Sequence, residues 1–364
     1  MHGSATRRQT IYVDGTHLRG RVTGIERVTL DLFSAESLAP HDVRPVVSRS
    51  LPGMIARQQV GIPLKTWRDP QALFVFPGFP PGPLCAPAAA RCLLYIHDTF
   101  LLSRPEDLSL RSRVYLSPAF ALAMRWGRNL FVNSRTTGED LRRYCAPEAG
   151  VFLLRPPVRD VFTLSRRVGP GIWKPGGPLK LLAIGTVEPR KNYPASLAIV
   201  EALNSIGIPA ELHLVGRSGW GRHAFLDSPP PYLHMHGYLA DSQLQALAET
   251  CHALLSTSKA EGLGLPLLEV QHGGLPVIAP DAPVFREVLG RSGLLIHPDA
   301  TDASARRIGA WVASEEFGAA LHAARDNVGR WNGLAATDAG RLLALLDGDP
   351  LAYAGADAMI PGRP

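Results

Sequence analysis

The sequence predicts an α/β protein of two doubly wound parallel-sheet domains facing a cleft, and three observations carry the prediction. Short runs of β-branched and apolar residues alternate with helical patterns along the whole chain. That series breaks once, in RRVGPGIWKPGGPLK at 166–180, which is rich in Gly and Pro and has no periodicity, as an interdomain linker should. A chain of 364 residues also exceeds one ordinary hydrophobic core and suits two domains of roughly 150 to 180 residues each.

In the first series the strands are TIYVDGTHL near the start, ALFVFPG at 72–78, CLLYIHD at 92–98, NLFVNS at 129–134 and VFLLRPP at 151–157. The second runs through LKLLAIGT at 179–186, AELHLVG at 210–216, YLHMHGY at 232–238, ALLSTS at 253–258, LPVIAPD at 275–281 and GLLIHPD at 293–299. The expected division is therefore a first domain over 1–165, a linker over 166–180, a second domain over 181–330, and a tail over 331–364 that returns to the first domain as a crossover helix. Ligands of open parallel sheets bind at the carboxyl ends of the strands, so the loops 15–24, 97–104, 186–192, 217–222 and 259–266 are where chemistry should be sought.

Composition narrows the class. With 46% hydrophobic and 19% charged residues the chain is globular, neither disordered nor fibrous. It holds no apolar run of roughly 18 residues and no leader pattern, so neither a membrane span nor a signal peptide is expected. Cys85, Cys92, Cys145 and Cys251 lie far apart without metal-ligand or redox spacing, which reads as free thiols in a reducing cytoplasm. Residues 1–165 carry 21 Lys and Arg against 13 Asp and Glu, while the rest carry 17 against 19. A basic first half suits an anionic lipid surface or a lipid-diphosphate acceptor, hence peripheral contact with the inner membrane face, although a solvated arginine-rich surface is the alternative. Nucleic acid is not expected, because the arginines are scattered and not interleaved with aromatics.

The most informative stretch is SKAEGLGLPLLEVQHGGLPVIAPD at 258–281. Pro266 reads as the first turn of a helix, which puts the amides of Gly262, Leu263, Gly264 and Leu265 at a helix N-terminus suited to diphosphate oxygens. Glu261 precedes that helix and Glu269 lies a turn inside it, so the two carboxylates could accept hydrogen bonds from opposite ends of an extended nucleotide sugar. In IGTVEPRKNYPASL at 184–197, Arg190 and Lys191 follow a strand end, and fixed cations there would stabilise a leaving diphosphate more in the transition state than in the ground state. An exposed basic turn is the alternative. Arg217 and Ser218 hold the corresponding place after the next strand, where a plain loop is the competing reading. Gly24 opens a helical pattern after Arg19, Gly20, Arg21 and Thr23, and could let backbone approach a phosphate or serve the turn alone. His97 and Asp98 close the strand YIHD, where the histidine could meet a substrate hydroxyl or act in capping and packing. Asp347-Gly348-Asp349, which has the look of a metal-binding triplet, reads as a turn. No metal ligands and no bound cofactor are expected.

Taken together, TGIERVTLDLF, YIHDTF, VNSRTTGEDLRRY, AIGTVEPRKN, LVGRSGW, HGYLADSQL, AEGLGLPLLEVQHGGLPVIAPD and RWNGLAATDAGRLL resemble the family 4 retaining glycosyltransferases, of the branch that builds bacterial surface polysaccharides. The resemblance covers nearly the whole chain. It implies a GT-B fold of two Rossmann-like domains, with a nucleotide-sugar donor on the second and a saccharide or lipid-linked acceptor on the first. GDP-mannose is the leading donor, with dTDP-rhamnose or a UDP-sugar behind it; a catalytically inactive scaffold relative is the non-enzymatic alternative. By the same resemblance Arg190 and Lys191 hold the diphosphate, Glu261 lies near the donor sugar and Glu269 near the ribose, and His97 and Gly24 take the family's strand-end histidine and first-loop glycine. Many relatives have an arginine five residues before the lysine, where this chain has Thr186; His272 is a second departure. On this reading Glu261→Ala and Lys191→Ala abolish transfer and leave the thermal melt nearly unchanged.

Overall fold

The computed structural model describes residues 8–18, 24–166, 172–349, 351–355 and 359–360. It divides into two compact units, one formed by residues 1–157 and 332–364 and the other by 158–331. The boundary at 157/158 lies ahead of the 166–180 segment because Val158, Phe162 and Leu164 are buried in the core of the second unit. Trp173, inside that Gly- and Pro-rich segment, is buried in the second unit as well and donates from its indole to the Gly177 carbonyl at 3.0 Å.

The first unit is built on six parallel strands: β1 (Thr10–Gly15), β2 (Asp42–Val47), β3 (Leu73–Phe76), β4 (Cys92–Ile96), β5 (Asn129–Val132) and β6 (Gly150–Leu153), in the order β2-β1-β3-β4-β5-β6. The central strands are short and apolar because both sheet faces are covered, and all five residues of β4 are buried. β2 is absent from the sequence reading for a physical reason. As an edge strand it buries one face at most, and DVRPVV carries a proline and an arginine where an interior strand would carry apolar residues. The helix Gly24–Phe33 packs through Val28, Thr29, Leu32 and Phe33, a stripe set by the 3.6-residue period. The long helix Glu315–Leu346 passes from the second unit into the first at Trp331/Asn332, and in the first unit Asp338 accepts from the backbone N–H and guanidinium of Arg155. After it, Asp347-Gly348-Asp349 forms a turn with Gly348 at φ +94°.

The second unit has β7 (Leu179–Ile184), β8 (Ala210–Val215), β9 (Leu233–Gly237), β10 (Ala253–Leu255), β11 (Val277–Pro280) and β12 (Gly293–Ile296), all parallel, in the order β12-β11-β10-β7-β8-β9. Strand alternation assigns Leu181 and Ala183 to one core and Leu182 to the other, so the sheet is dry on both faces. Trp331 is fully buried in the second of these cores. The strand order reverses between β7 and β10, as it does between β1 and β3 in the first unit, and such switch points open crevices at strand carboxyl ends. No helix among the described residues is long and apolar enough to cross a membrane, and the four cysteines are free thiols.

Candidate functional site

The loops that follow β7 and β10 meet at the switch point of the second sheet. β7 is followed by Gly185, whose φ of +149° favours glycine and where a Cβ would crowd its neighbours, 3.1 Å from Lys191 Cε and 3.2 Å from the Tyr193 hydroxyl. The chain then forms a short 3₁₀ turn at Pro189–Lys191, passes through Asn192 in the left-handed region, and enters the helix Tyr193–Ser205. Tyr193 donates back to the Gly185 carbonyl at 3.0 Å. The loop after β8 is tied to the same turn, with Val187 N–H donating to Arg217 O and Gly219 N–H to Val187 O. Gly216 is where the backbones come closest, since a Cβ on it would stand 1.8 Å from the Gly185 carbonyl oxygen.

The loop after β10 is stitched to this turn from the other side. Lys259 N–H donates to Arg190 O at 2.8 Å, Thr257 Oγ1 donates to Asn192 O at 2.9 Å, and Thr257 Oγ1 is also 2.7 Å from Ser196 Oγ. These contacts deliver Glu261 to Arg190 and Lys191. One carboxylate oxygen accepts from Lys191 Nζ at 2.6 Å and the other from an Arg190 Nη at 2.8 Å, while the second Nη of Arg190 reaches Glu188 at 2.5 Å. All four side chains are nearly buried, from 7% exposed at Glu188 to 18% at Arg190. Burial alone would push the Glu261 carboxyl up, but Lys191, Arg190 and the hydrogen bonds to it together bring it down to about 2.

Lys191 and Glu261 line a depression together with Thr257, Ser258, Gly264 and Pro266. Its floor is the one-turn helix Leu265–Glu269, capped by Gly264 at φ +78° and carrying Pro266 in its first turn as the sequence suggests. Leu263 is buried in the core, so only its backbone is placed to serve a ligand, and Gly262 is buried too. Glu269, 4% exposed, lies deeper in the same helix. Arg217 is exposed and sits 4.8 Å over the ring of Tyr238. His272 points elsewhere, contacting the Val158 carbonyl through Nε2 at 3.0 Å, which gives that departure a packing role.

His97 and Gly24 belong to the first unit. His97 Nε2 donates to the Pro77 carbonyl at 2.7 Å, and burial pushes its pKa down to about 4, so the ring is neutral near pH 7 and presents Nδ1 as an acceptor. Its own carbonyl accepts from Asn133 Nδ2 at 2.8 Å. Gly24 is exposed at the start of its helix, and residues 19–23 lie outside the described ones. Sequence reasoning passed over several polar residues here. His17 sits against Gly78 so closely that a Cβ on Gly78 would meet the ring at 2.8 Å, and its Nε2 is 2.9 Å from Thr29 Oγ1. Buried Asp14 accepts from Thr16 N–H and from Gln58 Nε2. The strand end DGTH carries the same polar-after-apolar signal as YIHD and could have revealed them. In the second unit Glu188 was missed, though an acidic residue two positions before Arg190 was its signal.

With this geometry in hand, residues 178–314 match the family described as Glycosyl transferases group 1. Over 270 residues, 66% of its length, the chain is 32% identical to the serotype-specific mannosyltransferase WbdA of Escherichia coli. It is 31% identical over 133 residues to the O-antigen chain mannosyltransferase B of the same organism, covering 35% of each. The aligned part spans about a third of the length of these curated relatives. Among solved structures, WaaG, a glycosyltransferase involved in lipopolysaccharide biosynthesis, is similar over 93% of this chain and all of its own, with TM-score 0.66 and 16% identity. Alr3699/HepE of Anabaena in complex with UDP-glucose covers 90% of this chain and 98% of its own, with TM-score 0.62 and 17% identity. These likenesses establish the two-domain Rossmann-like α/β fold, named GT-B.

Proposed function

We propose that this protein is a retaining, metal-independent glycosyltransferase that moves a hexose from a nucleotide diphosphate sugar to a saccharide or lipid-linked acceptor, with GDP-mannose as donor. The observation that carries the reading is the convergence of Arg190, Lys191 and Glu261 at the switch point of the sheet inside the matched domain. A departing nucleoside diphosphate gathers about two negative charges, and a lysine and an arginine already held by fixed partners meet that charge without reorganising. They supply the charge that a divalent ion supplies in other transferases. A carboxylate held at about 2 with both oxygens in ion pairs is a poor base or nucleophile at neutral pH. Glu261 therefore acts by positioning Lys191 and Arg190 and by receiving donor-sugar hydroxyls. Retention follows from attack on the face that the diphosphate leaves, the acceptor hydroxyl passing its proton to the departing phosphate oxygen. The mannosyltransferase relatives support the choice of sugar; the HepE complex with UDP-glucose makes a UDP-sugar the second candidate.

A thermal-shift screen against GDP, UDP, dTDP, ADP and their common sugars, with and without EDTA, tests this, because a ligand bound only by the native state raises its melting temperature. Stabilisation by one nucleotide class that persists in EDTA is the expected result; no stabilisation by any of them points to a scaffold and defeats the proposal. We place the protein in the cytoplasm, in peripheral contact with the inner membrane face through its basic first half. Sedimentation with anionic liposomes should then occur at low salt and be lost at high salt. Failure to sediment at low salt removes the membrane contact and leaves the transfer reaction untouched.

A further inference from the structure

β8 and β9 carry a cluster that the transfer reaction does not use. The parallel register places His213 of β8 opposite His234 of β9, and the two-residue period of strands sets Glu211 on the same face as His213. A register shift after Leu214 brings His236 up to the same group. The three imidazoles stack, His213 on His234 with centroids 4.8 Å apart and on His236 at 5.4 Å. His213 Nδ1 is 3.1 Å from His236 Nε2, and His213 Nε2 stands 3.4 Å from the Glu211 carboxylate, which lies 3.8 Å from His234 Nε2.

Histidines on an edge strand most often pack or face solvent, and one observation speaks against that here. His213 is 8% exposed, and its Nε2 is buried without a hydrogen-bond partner while aimed at the carboxylate. Leaving a buried polar nitrogen unsatisfied costs about 1–3 kcal/mol. A cation between Nε2 and the carboxylate removes that cost, and the donor set selects the ion: two imidazoles and one carboxylate suit borderline transition metals, whereas magnesium and calcium prefer oxygen.

We propose that Glu211, His213 and His234 form a binding site for a divalent transition-metal ion of the zinc class, which clips edge strand β9 to β8. One ligand atom from each lies within 4.8 Å of the others. Tetrahedral zinc with bonds of 2.0–2.2 Å holds its ligands roughly 3.4 Å apart, so closure asks for side-chain movements of about an ångström. His234 and Glu211 are 43% and 33% exposed, which leaves an entry path and a fourth position for water. His236 orients His213 from behind, as an outer-shell partner does. Lys180, in register with Glu211 on β7, is the cation that the metal must outcompete for the carboxylate. The site lies on the bodies of the strands, apart from the loops that carry Lys191 and Glu261, so the proposal stands independently of the transfer reaction.

The test uses the full-length protein stripped with EDTA and dialysed, titrated with ZnCl₂ by calorimetry and with CoCl₂ by visible absorption. One equivalent should bind, the cobalt complex should show the strong ligand-field bands of a tetrahedral site, and the melting temperature should rise with zinc but not with magnesium. His234→Ala and Glu211→Gln should each weaken binding tenfold or more and abolish the zinc-dependent rise, while melting like the wild type in EDTA. Cobalt without ligand-field bands, or undiminished affinity in His234→Ala, assigns any bound ion to other histidines and overturns the proposal.

Discussion

Replacing Glu261 by Gln removes the carboxylate on which two nearly buried cations converge and keeps its volume. In the folded protein that carboxyl is held at about 2 against an ordinary 4.5. At 1.36 kcal/mol per pKa unit, its charged form is stabilised by folding by about 3 kcal/mol. The side chain is 9% exposed, so solvent screening takes little from this figure. Because the folded pKa is depressed, the contribution is present in full above the unfolded value and is lost as pH falls from about 4.5 toward 2. The variant has no titrating group at this position and leaves Arg190 and Lys191 side by side, with Glu188 as the remaining acid in contact. Urea unfolding of wild type and Glu261→Gln should therefore differ by about 3 kcal/mol at pH 7 and by about 1 kcal/mol at pH 3. A gap under about 1 kcal/mol at pH 7, or one as wide at pH 3 as at pH 7, would refute the buried ion-pair account. The same reasoning revises the expectation that Glu261→Ala leaves melting unchanged: breaking a buried pair by removing one partner commonly costs about 3–5 kcal/mol.

Gly216→Ala places a Cβ 1.8 Å from the Gly185 carbonyl oxygen, so the turn that carries Lys191 must shift; donor affinity by calorimetry should fall at least about tenfold, and unchanged affinity would show that this turn does not position the donor. His97 has a folded pKa near 4, below its ordinary 6.5, so its contribution to stability is present above pH 6.5 and declines as pH falls toward 4. His97→Gln should flatten that part of the stability profile, and a wild-type profile already level between those values would dispose of the neutral, desolvated imidazole.

Much of this protein was legible from patterns of short range. Eleven of the twelve strands among the described residues show as apolar runs, most plainly the central ones, because strands buried on both faces must be apolar throughout. β2 was hidden because an edge strand with one covered face escapes that requirement. The SKAEGLGLP stretch and the Arg190-Lys191 pair stood out because strand-end charges and glycines are uncommon without a reason. Gln58 and the pairing of His213 with His234 did not, since each means something only beside a partner on another element.

Residue order alone therefore determined that the chain makes two parallel sheets and which strand ends carry the polar residues. Those properties follow from periodicity and burial, which act over a few neighbours at a time. Tertiary structure decided what the polar residues do to one another. Arg190 and Glu261 are 71 positions apart, and at that separation the sequence is silent on whether a carboxylate meets water or two cations. Only the reversal of strand order between β7 and β10 brings their loops together, and only the two cations and the hydrogen bonds met there overcome the upward push of burial and hold the glutamate near pKa 2.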